Sequence, residues 1–137
     1  MVSRAAQKAI AAQVEDALAK GAKDVTPTNP SFDNPPADGN YVVPKILIDM
    51  TPDMTVMKEE TFGPIIPVSK VSGDEEAVRL MNDTTYGLTC SVWTKDIEVG
   101  KQLIEQLEAG TVFVNRADYP NPVRAEDPHA VTWKRSS

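Results

Sequence analysis

From residue 65 to residue 115 the sequence alternates short apolar runs with amphipathic segments. The apolar runs are of the β-branched and aromatic type that forms strands: "IIPVSKV" (65–71), "LTCSVWT" (88–94) and "TVFVN" (111–115). The segments between them, 73–82 and 97–109, carry apolar residues at helical spacing. This β-α-β-α-β order with short connections favours right-handed crossovers and a parallel sheet flanked by helices. We therefore predict an α/β fold whose ligand-binding rim lies at the carboxyl ends of the strands, where Asn115 stands.

The first half of the chain is predicted to hold a helix, a loop and a further strand. Residues 3–20 place apolar side chains every fourth position, with Ser3 as candidate N-cap and Gly21 just past the end. Residues 25–40 contain four prolines and little to bury, which predicts a mobile surface loop. "YVVPKILI" (41–48) reads as a strand interrupted by Pro44, which favours a position at an edge or beside a bulge because proline donates no backbone hydrogen bond. In the helix at 73–82, the residues expected to face inward are Ala77, Leu80 and Met81.

Charge and composition exclude several function classes. The chain of 137 residues has 20 acidic against 14 basic side chains, which argues against binding to nucleic acid or anionic membranes. Its single histidine, His129, and single cysteine, Cys90, lie far apart in sequence, so no metal site is predicted. One cysteine also excludes an internal disulfide framework and fits a reducing compartment. With an N-terminus too polar for a signal peptide, the protein is expected to be cytoplasmic.

A pair of carboxylates stands at the start of one predicted strand. In "KEETFGP" (58–64), Glu59 and Glu60 come just before an aromatic residue, a glycine and a proline. Either both acids are solvated at the end of the strand, or one of them binds a ligand. For an arbitrary Glu-Glu pair the solvated alternative is the more common one.

Four ordered blocks of the sequence closely resemble the aldehyde dehydrogenase superfamily, in the C-terminal part of its catalytic domain. These blocks are "GNYVVPKIL", "MKEETFGPIIPV", "EEAVRLMNDTTYGLTCSVWTKD" and "LEAGTVFVNRADY". The N-terminal helix ending in "ALAKGAK" resembles the helix that follows the family's nucleophile. The resemblance covers residues 1–119 and implies a partial catalytic domain at 1–115, followed by an irregular, divergent tail at 116–137.

The resemblance implies a cofactor and two residues that contact it. Family enzymes oxidise aldehydes to carboxylic acids with NAD or NADP, using a cysteine nucleophile and a glutamate that activates water. Glu60 corresponds to the glutamate that hydrogen-bonds the nicotinamide ribose, and Phe62 would lie against the nicotinamide. Gly63 would permit close backbone approach, and Pro64 would start the strand without needing its missing donor. Glu59 would then face water.

The family's nucleophile, its water-activating glutamate and its dinucleotide-binding domain all belong to stretches that precede the matched ones. Cys90 does not replace the nucleophile, because it stands inside a predicted strand and has no histidine or basic neighbour to form a thiolate. No catalytic residue is therefore assigned in this chain.

Three functional hypotheses follow. The first is a fragment or truncated relative of an NAD(P)-dependent aldehyde dehydrogenase that is inactive alone. The second is a non-catalytic interaction protein, which associates with itself or with a full-length relative through the exposed edge of its sheet. The third is residual cofactor binding without turnover, weak because Glu60 and Phe62 supply only the nicotinamide end.

Overall fold

The computed structural model describes residues 1–31, 33–36 and 38–117, and the backbone alone of residues 130–132. The chain divides into two compact units, Met1–Lys70 and Val71–Ser137. Among the described residues, no helix is long and apolar enough to span a membrane.

The first unit combines two helices with a three-stranded sheet. Its elements in chain order are α1 (Arg4–Ala19), β1 (Lys23–Asp24), β2 (Lys45–Ile48), α2 (Thr55–Lys58) and β3 (Ile65–Val68). The strand order is β1-β2-β3, with β1 antiparallel and β3 parallel to the central β2. The predicted caps of α1 are present: the Ser3 hydroxyl accepts a hydrogen bond from the Ala6 N–H, and Gly21 follows the helix with a φ of 103°.

The core of this unit lies between the helices and one face of the sheet. Its fully buried members include Ala17 of α1 and Leu47 of β2. Asp16, one residue before Ala17, joins α1 to α2, because its carboxylate accepts a hydrogen bond from the Thr55 N–H at 2.8 Å. That bond, together with Lys20 at 2.9 Å, lowers the pKa of Asp16 to about 2.

The second unit also combines two helices with a three-stranded sheet. Its elements are α3 (Asp74–Asn82), β4 (Thr89–Val92), α4 (Ile97–Ile104), β5 (Thr111–Val114) and β6 (Ala130–Thr132). The strand order is β4-β5-β6, with β4 and β5 parallel and β6 antiparallel to β5. A buried apolar cluster contains the last residue of α4, two residues that follow this helix, and two residues on one face of β5. They are Ile104, Leu107, Ala109, Val112 and Val114.

The α/β class, with helices flanking small sheets, is confirmed, and one strand pairing differs from the expected β-α-β-α-β sheet. β3 belongs to the sheet of the first unit, where the Lys45 N–H donates to the Pro64 carbonyl at 2.8 Å and leads into the parallel pairing with β2. The predicted parallel relation holds for β4 and β5. Periodicity identifies strands, but it does not identify the neighbour to which each strand hydrogen-bonds.

Two local expectations are wrong. The strand containing "KILI" is the central one of its sheet and not an edge, because β2 begins at Lys45 and leaves Pro44 outside the ladder. In α3, Met81 is 41% exposed, and the side chain that packs against the core is Val78. The apolar residues of this short helix span a wide arc, so the sequence did not decide which of them faces inward.

Candidate functional site

The "KEETFGP" segment is the connection between α2 and β3. α2 ends at Lys58, and the Glu59 N–H donates to the Thr55 carbonyl at 2.9 Å to close its last turn. At the other end the Ile65 N–H donates to the Gly63 carbonyl at 2.9 Å, just where β3 begins. The segment is thus fixed at both ends by backbone hydrogen bonds.

Two residues fasten the middle of this connection to α1. The Thr61 hydroxyl lies 2.8 Å from the side-chain oxygen of Gln13 and donates to it. Gly63 lies so close to α1 that a Cβ added there would stand 2.3 Å from the Cδ1 of Ile10. Glycine permits this approach without a shift of the Ile10 side chain.

The residues between these anchors point outward. Phe62 is 78% exposed, although a phenyl ring is among the most costly groups to leave in water. Glu60 is also exposed, and its carboxylate has no hydrogen-bond or ion-pair partner among the described residues. Glu59 is exposed as well. Alternate residues of the loop therefore face α1 and solvent, and both residues predicted to bind the cofactor are on the solvent side.

These exposed groups suit the nicotinamide end of a dinucleotide. A free carboxylate accepts hydrogen bonds from two neighbouring ribose hydroxyls. An exposed ring held on a short, anchored loop offers an apolar surface against which a nicotinamide can lie. The connection thus presents one carboxylate and one aromatic ring to solvent.

At the carboxyl end of β5, Asn115 makes a side-chain clamp that the sequence did not reveal. Its Oδ1 accepts from the Thr94 N–H and its Nδ2 donates to the Thr94 carbonyl, both at 2.7 Å. Its own N–H donates to the Val92 carbonyl at 2.8 Å. Asn115 has a φ of 52°, in the left-handed region that asparagine tolerates better than most residues. The clamp joins the ends of β4 and β5.

Cys90 has the environment of a core residue. It is half-buried in β4 and packs against the apolar core of its unit. Burial raises the pKa of the Cys90 thiol, with a backbone hydrogen bond from Ser91 acting in the opposite direction. A thiol whose pKa is raised forms less of the nucleophilic thiolate at neutral pH.

Other candidate sites are less convincing. A cavity of about 340 Å³ lies between the proline-rich loop and residues 41–44, and its described lining includes no charged side chain that could hold a phosphate. Among the described residues, no group of three or more potential metal ligands comes together. His129 lies outside the described residues.

The model of the aldehyde dehydrogenase family matches residues 1–130, nearly the whole chain. The chain belongs to the aldehyde dehydrogenase family. Among curated relatives, it is 40% identical over 119 residues to the aldehyde dehydrogenase TropH of Talaromyces stipitatus, covering 84% of this chain and 23% of that protein. It is 39% identical over 106 residues to the betaine aldehyde dehydrogenase of Bacillus subtilis, covering 74% of this chain and 21% of that protein.

Solved aldehyde dehydrogenase structures share the fold. An NADP-dependent glyceraldehyde-3-phosphate dehydrogenase from Bacillus halodurans, complexed with NADP, matches with a TM-score of 0.79 and 32% identity over 96% of this chain and 26% of that one. A Mycobacterium tuberculosis aldehyde dehydrogenase complexed with NAD+ matches with a TM-score of 0.75 and 27% identity, covering 87% of this chain and 24% of that one. This member of the family thus spans about a quarter of the length of these relatives.

Proposed function

We propose that the chain forms the part of an aldehyde dehydrogenase catalytic domain that contacts the nicotinamide end of NAD or NADP, through Glu60 and Phe62. The observation that carries this proposal is the alternation in the connection between α2 and β3. Thr61 and Gly63 are fastened to α1, and this leaves the carboxylate and the ring between them directed at solvent.

In this role Glu60 accepts hydrogen bonds from the hydroxyls of the nicotinamide ribose, and Phe62 limits where the nicotinamide ring can lie. When bound, the nicotinamide supplies the group that accepts a hydride. The residues of this chain do not indicate whether the cofactor is NAD or NADP. Its structural relatives include one complexed with NADP and one complexed with NAD+.

Residues 1–115 form the partial catalytic domain in this proposal, and residues 116–137 form a divergent segment. A cytoplasmic location fits a chain with a single cysteine, since such a chain needs no oxidising compartment.

We expect the isolated 137-residue chain not to oxidise aldehydes. Its only cysteine, Cys90, is half-buried, and burial raises the pKa of its thiol. The test is NADH or NADPH formation, followed by absorbance, with purified chain, aldehyde and cofactor. Turnover that Glu60→Ala abolishes would show that this chain holds a complete site.

Cofactor binding is tested by calorimetry with NAD and with NADP. We expect a Kd of about 1 mM or weaker, because most of the contacts that a dinucleotide makes are absent. Glu60→Gln, which keeps the shape but removes the charge, should weaken binding by about fivefold. Glu59→Gln is the matched control and should bind as the wild type does. Low-micromolar affinity, or equal effects of the two substitutions, would refute the assignment.

A second candidate function is that of a non-catalytic protein which associates with itself or with a full-length relative. The observation that favours it is the edge of each sheet: β3 and β4 each have a strand on one side only among the described strands. Unpaired edges are templates for pairing with another chain. Light scattering that finds only monomer at high concentration would count against this candidate.

A further inference from the structure

The start of α2 is held by side chains from the C-terminal end of α1. Met54, at the N-cap of α2, makes no side-chain hydrogen bond to the helix. Asp16 caps the helix instead, because its carboxylate accepts the hydrogen bond from the Thr55 N–H. The Lys20 ammonium donates to the Asp53 carbonyl at 2.7 Å. The first turn of α2 is therefore placed by groups that belong to α1.

Gln13 holds the middle of the connection between α2 and β3. It lies three residues before Asp16 on α1, and residues at this spacing share one face of a helix. Among the described residues, the bond between Thr61 and Gln13 is the only hydrogen bond that joins residues 59–62 to α1 or to the sheet. Both side chains are half-buried, which strengthens the bond because water competes less for it.

The Thr61 hydroxyl has one proton and two acceptors in its neighbourhood. The Gln13 side-chain oxygen lies 2.8 Å away, a normal distance for an O–H···O bond, whereas the Glu59 carbonyl lies at 3.5 Å. The proton therefore goes to Gln13. If Gln13 could not accept it, the hydroxyl would turn to the carbonyl of its own segment, and residues 59–62 would lose their hydrogen bond to α1.

The direction of Thr61 determines the direction of its two neighbours. The connection is extended where it leaves α2, with Glu59 at a φ of −96° and a ψ of 146°. In an extended chain, successive side chains point to opposite sides. With Thr61 held against α1, the carboxylate of Glu60 and the ring of Phe62 lie on the solvent side. One hydrogen bond to Gln13 therefore acts on both exposed groups.

We propose that Gln13 is a positioning residue: by accepting the Thr61 hydroxyl proton, it keeps Glu60 and Phe62 in the orientation that receives the nicotinamide ribose and ring. This inference rests on the proposed function. Gln13 acts through Thr61 and contacts no ligand in this role. Groups that are already in place when a ligand arrives bind it more tightly, because less ordering remains to be completed.

The test compares variants that lose this hydrogen bond with variants that keep it. Thr61→Val keeps the shape of the side chain without the hydroxyl, Gln13→Met removes the acceptor, and Thr61→Ser keeps the hydroxyl. Gln102→Met is the matched control, since it makes the same exchange at an exposed position of α4, in the second unit. Each variant is titrated with nicotinamide mononucleotide, and the Kd is measured from the backbone amide NMR signals of residues 59–64.

The expected changes in affinity follow from the loss of one hydrogen bond. Such a loss changes the ratio of ordered to loose segment by about fivefold. Because the apparent affinity falls with the fraction of protein that is competent to bind, the Kd of Thr61→Val and of Gln13→Met should rise about threefold. The double variant should bind no more weakly than either single one, since the same bond can be lost only once. Thr61→Ser and Gln102→Met should bind like the wild type.

Backbone amide relaxation distinguishes local positioning from a general loss of structure. The order parameters of residues 60–62 should fall in Thr61→Val and Gln13→Met and recover in Thr61→Ser, while those of β2 stay unchanged. A fall of equal size in β2 would mean that Gln13 supports the whole unit, and this would overturn the positioning role.

The positioning role and the proposed function fail in different ways. A wild-type chain whose signals do not respond to nicotinamide mononucleotide would refute the cofactor contact and, with it, this inference. A wild type that responds, combined with equal affinity in Thr61→Val and Gln13→Met, would refute the role of Gln13 and leave the cofactor contact in place. Additive losses in the double variant would also refute it, because the two side chains would then act independently.

Discussion

Replacing Gly63 with alanine tests how the connection between α2 and β3 is fastened to α1. A Cβ at position 63 would lie 2.3 Å from the Cδ1 of Ile10 and 2.7 Å from its Cγ1, distances that require a side chain to move. Ile10 is 4% exposed and has little room to rotate. Gly63 itself does not have a left-handed φ, so alanine fits its backbone and the whole cost comes from overpacking.

Two opposing effects determine how much stability Gly63→Ala loses. Overpacking a close contact costs about 1–3 kcal/mol, and alanine recovers about 0.4–1 kcal/mol by restricting the unfolded chain. The net decrease in unfolding free energy should be about 1–2 kcal/mol. Ile10→Val removes the Cδ1, the nearer of the two clashing atoms, and alone costs about 1 kcal/mol. The double variant should be more stable than the sum of the single effects predicts, by about 1 kcal/mol.

The assay is urea denaturation followed by circular dichroism, with the m-value checked for each variant. Gly73→Ser is the matched control, because a Cβ there would meet nothing within 4 Å and serine, like glycine, is a favoured residue at the N-cap of α3. Its unfolding free energy should stay within about 0.5 kcal/mol of the wild type. A Gly63→Ala variant as stable as the wild type, or strict additivity with Ile10→Val, would refute the packing argument.

Three further predictions concern single side chains. The pKa of Asp24 is lowered from 3.8 to about 2, chiefly by the hydrogen bond from Lys45. Its ionised carboxylate therefore stabilises the fold at pH values above the pKa that Asp24 has in the unfolded chain. Asp24→Asn should cost about 1 kcal/mol at neutral pH, and the difference should fade as the pH falls from about 4 towards 2; a pH-independent difference would contradict this. Asn115→Ala should lower the free energy of unfolding by about 1 kcal/mol more than Asn115→Gly does. Both variants lose the hydrogen bonds to Thr94, but only alanine is strained at a φ of 52°. Equal losses of stability in urea denaturation would refute the strain. The Cys90 thiol, whose pKa burial raises, should react with a thiol reagent more slowly than free cysteine at pH 8, and reaction as fast as that of free cysteine would contradict its burial.

Local features of the fold could be predicted from the sequence wherever one short segment contains the whole cause. The caps of α1 are an example, since Ser3 and Gly21 act on backbone groups only a few residues away. Strand neighbours could not be predicted in this way. That β3 pairs with β2 depends on hydrogen bonds between residues some 20 positions apart, such as Lys45 to Pro64, and these leave no periodic signal. The position of Pro44 shows the same limit, because the strand simply begins one residue later.

For the site, family resemblance supplied what residue patterns alone could not. Glu-Glu followed by an aromatic residue is compatible with a solvated strand end, and only the ordered blocks around it pointed to a cofactor. The structure adds a physical reason for the alternation: Thr61 and Gly63 face α1, so Glu60 and Phe62 must face solvent. The Asn115 clamp has no sequence signal, because an asparagine after a strand is equally typical of an ordinary turn.

The most direct test of the central assignment is a titration followed by the backbone amide NMR signals of residues 59–64. Nicotinamide mononucleotide carries the ribose and ring that Glu60 and Phe62 are proposed to contact, and adenosine monophosphate is the matched control without the nicotinamide. The assignment predicts that the first ligand shifts the signals of Glu60 and Phe62 with a Kd of about 1 mM or weaker, that Glu60→Gln reduces these shifts, and that the control has little effect. Equal shifts with both nucleotides, or shifts confined to other parts of the chain, would contradict it.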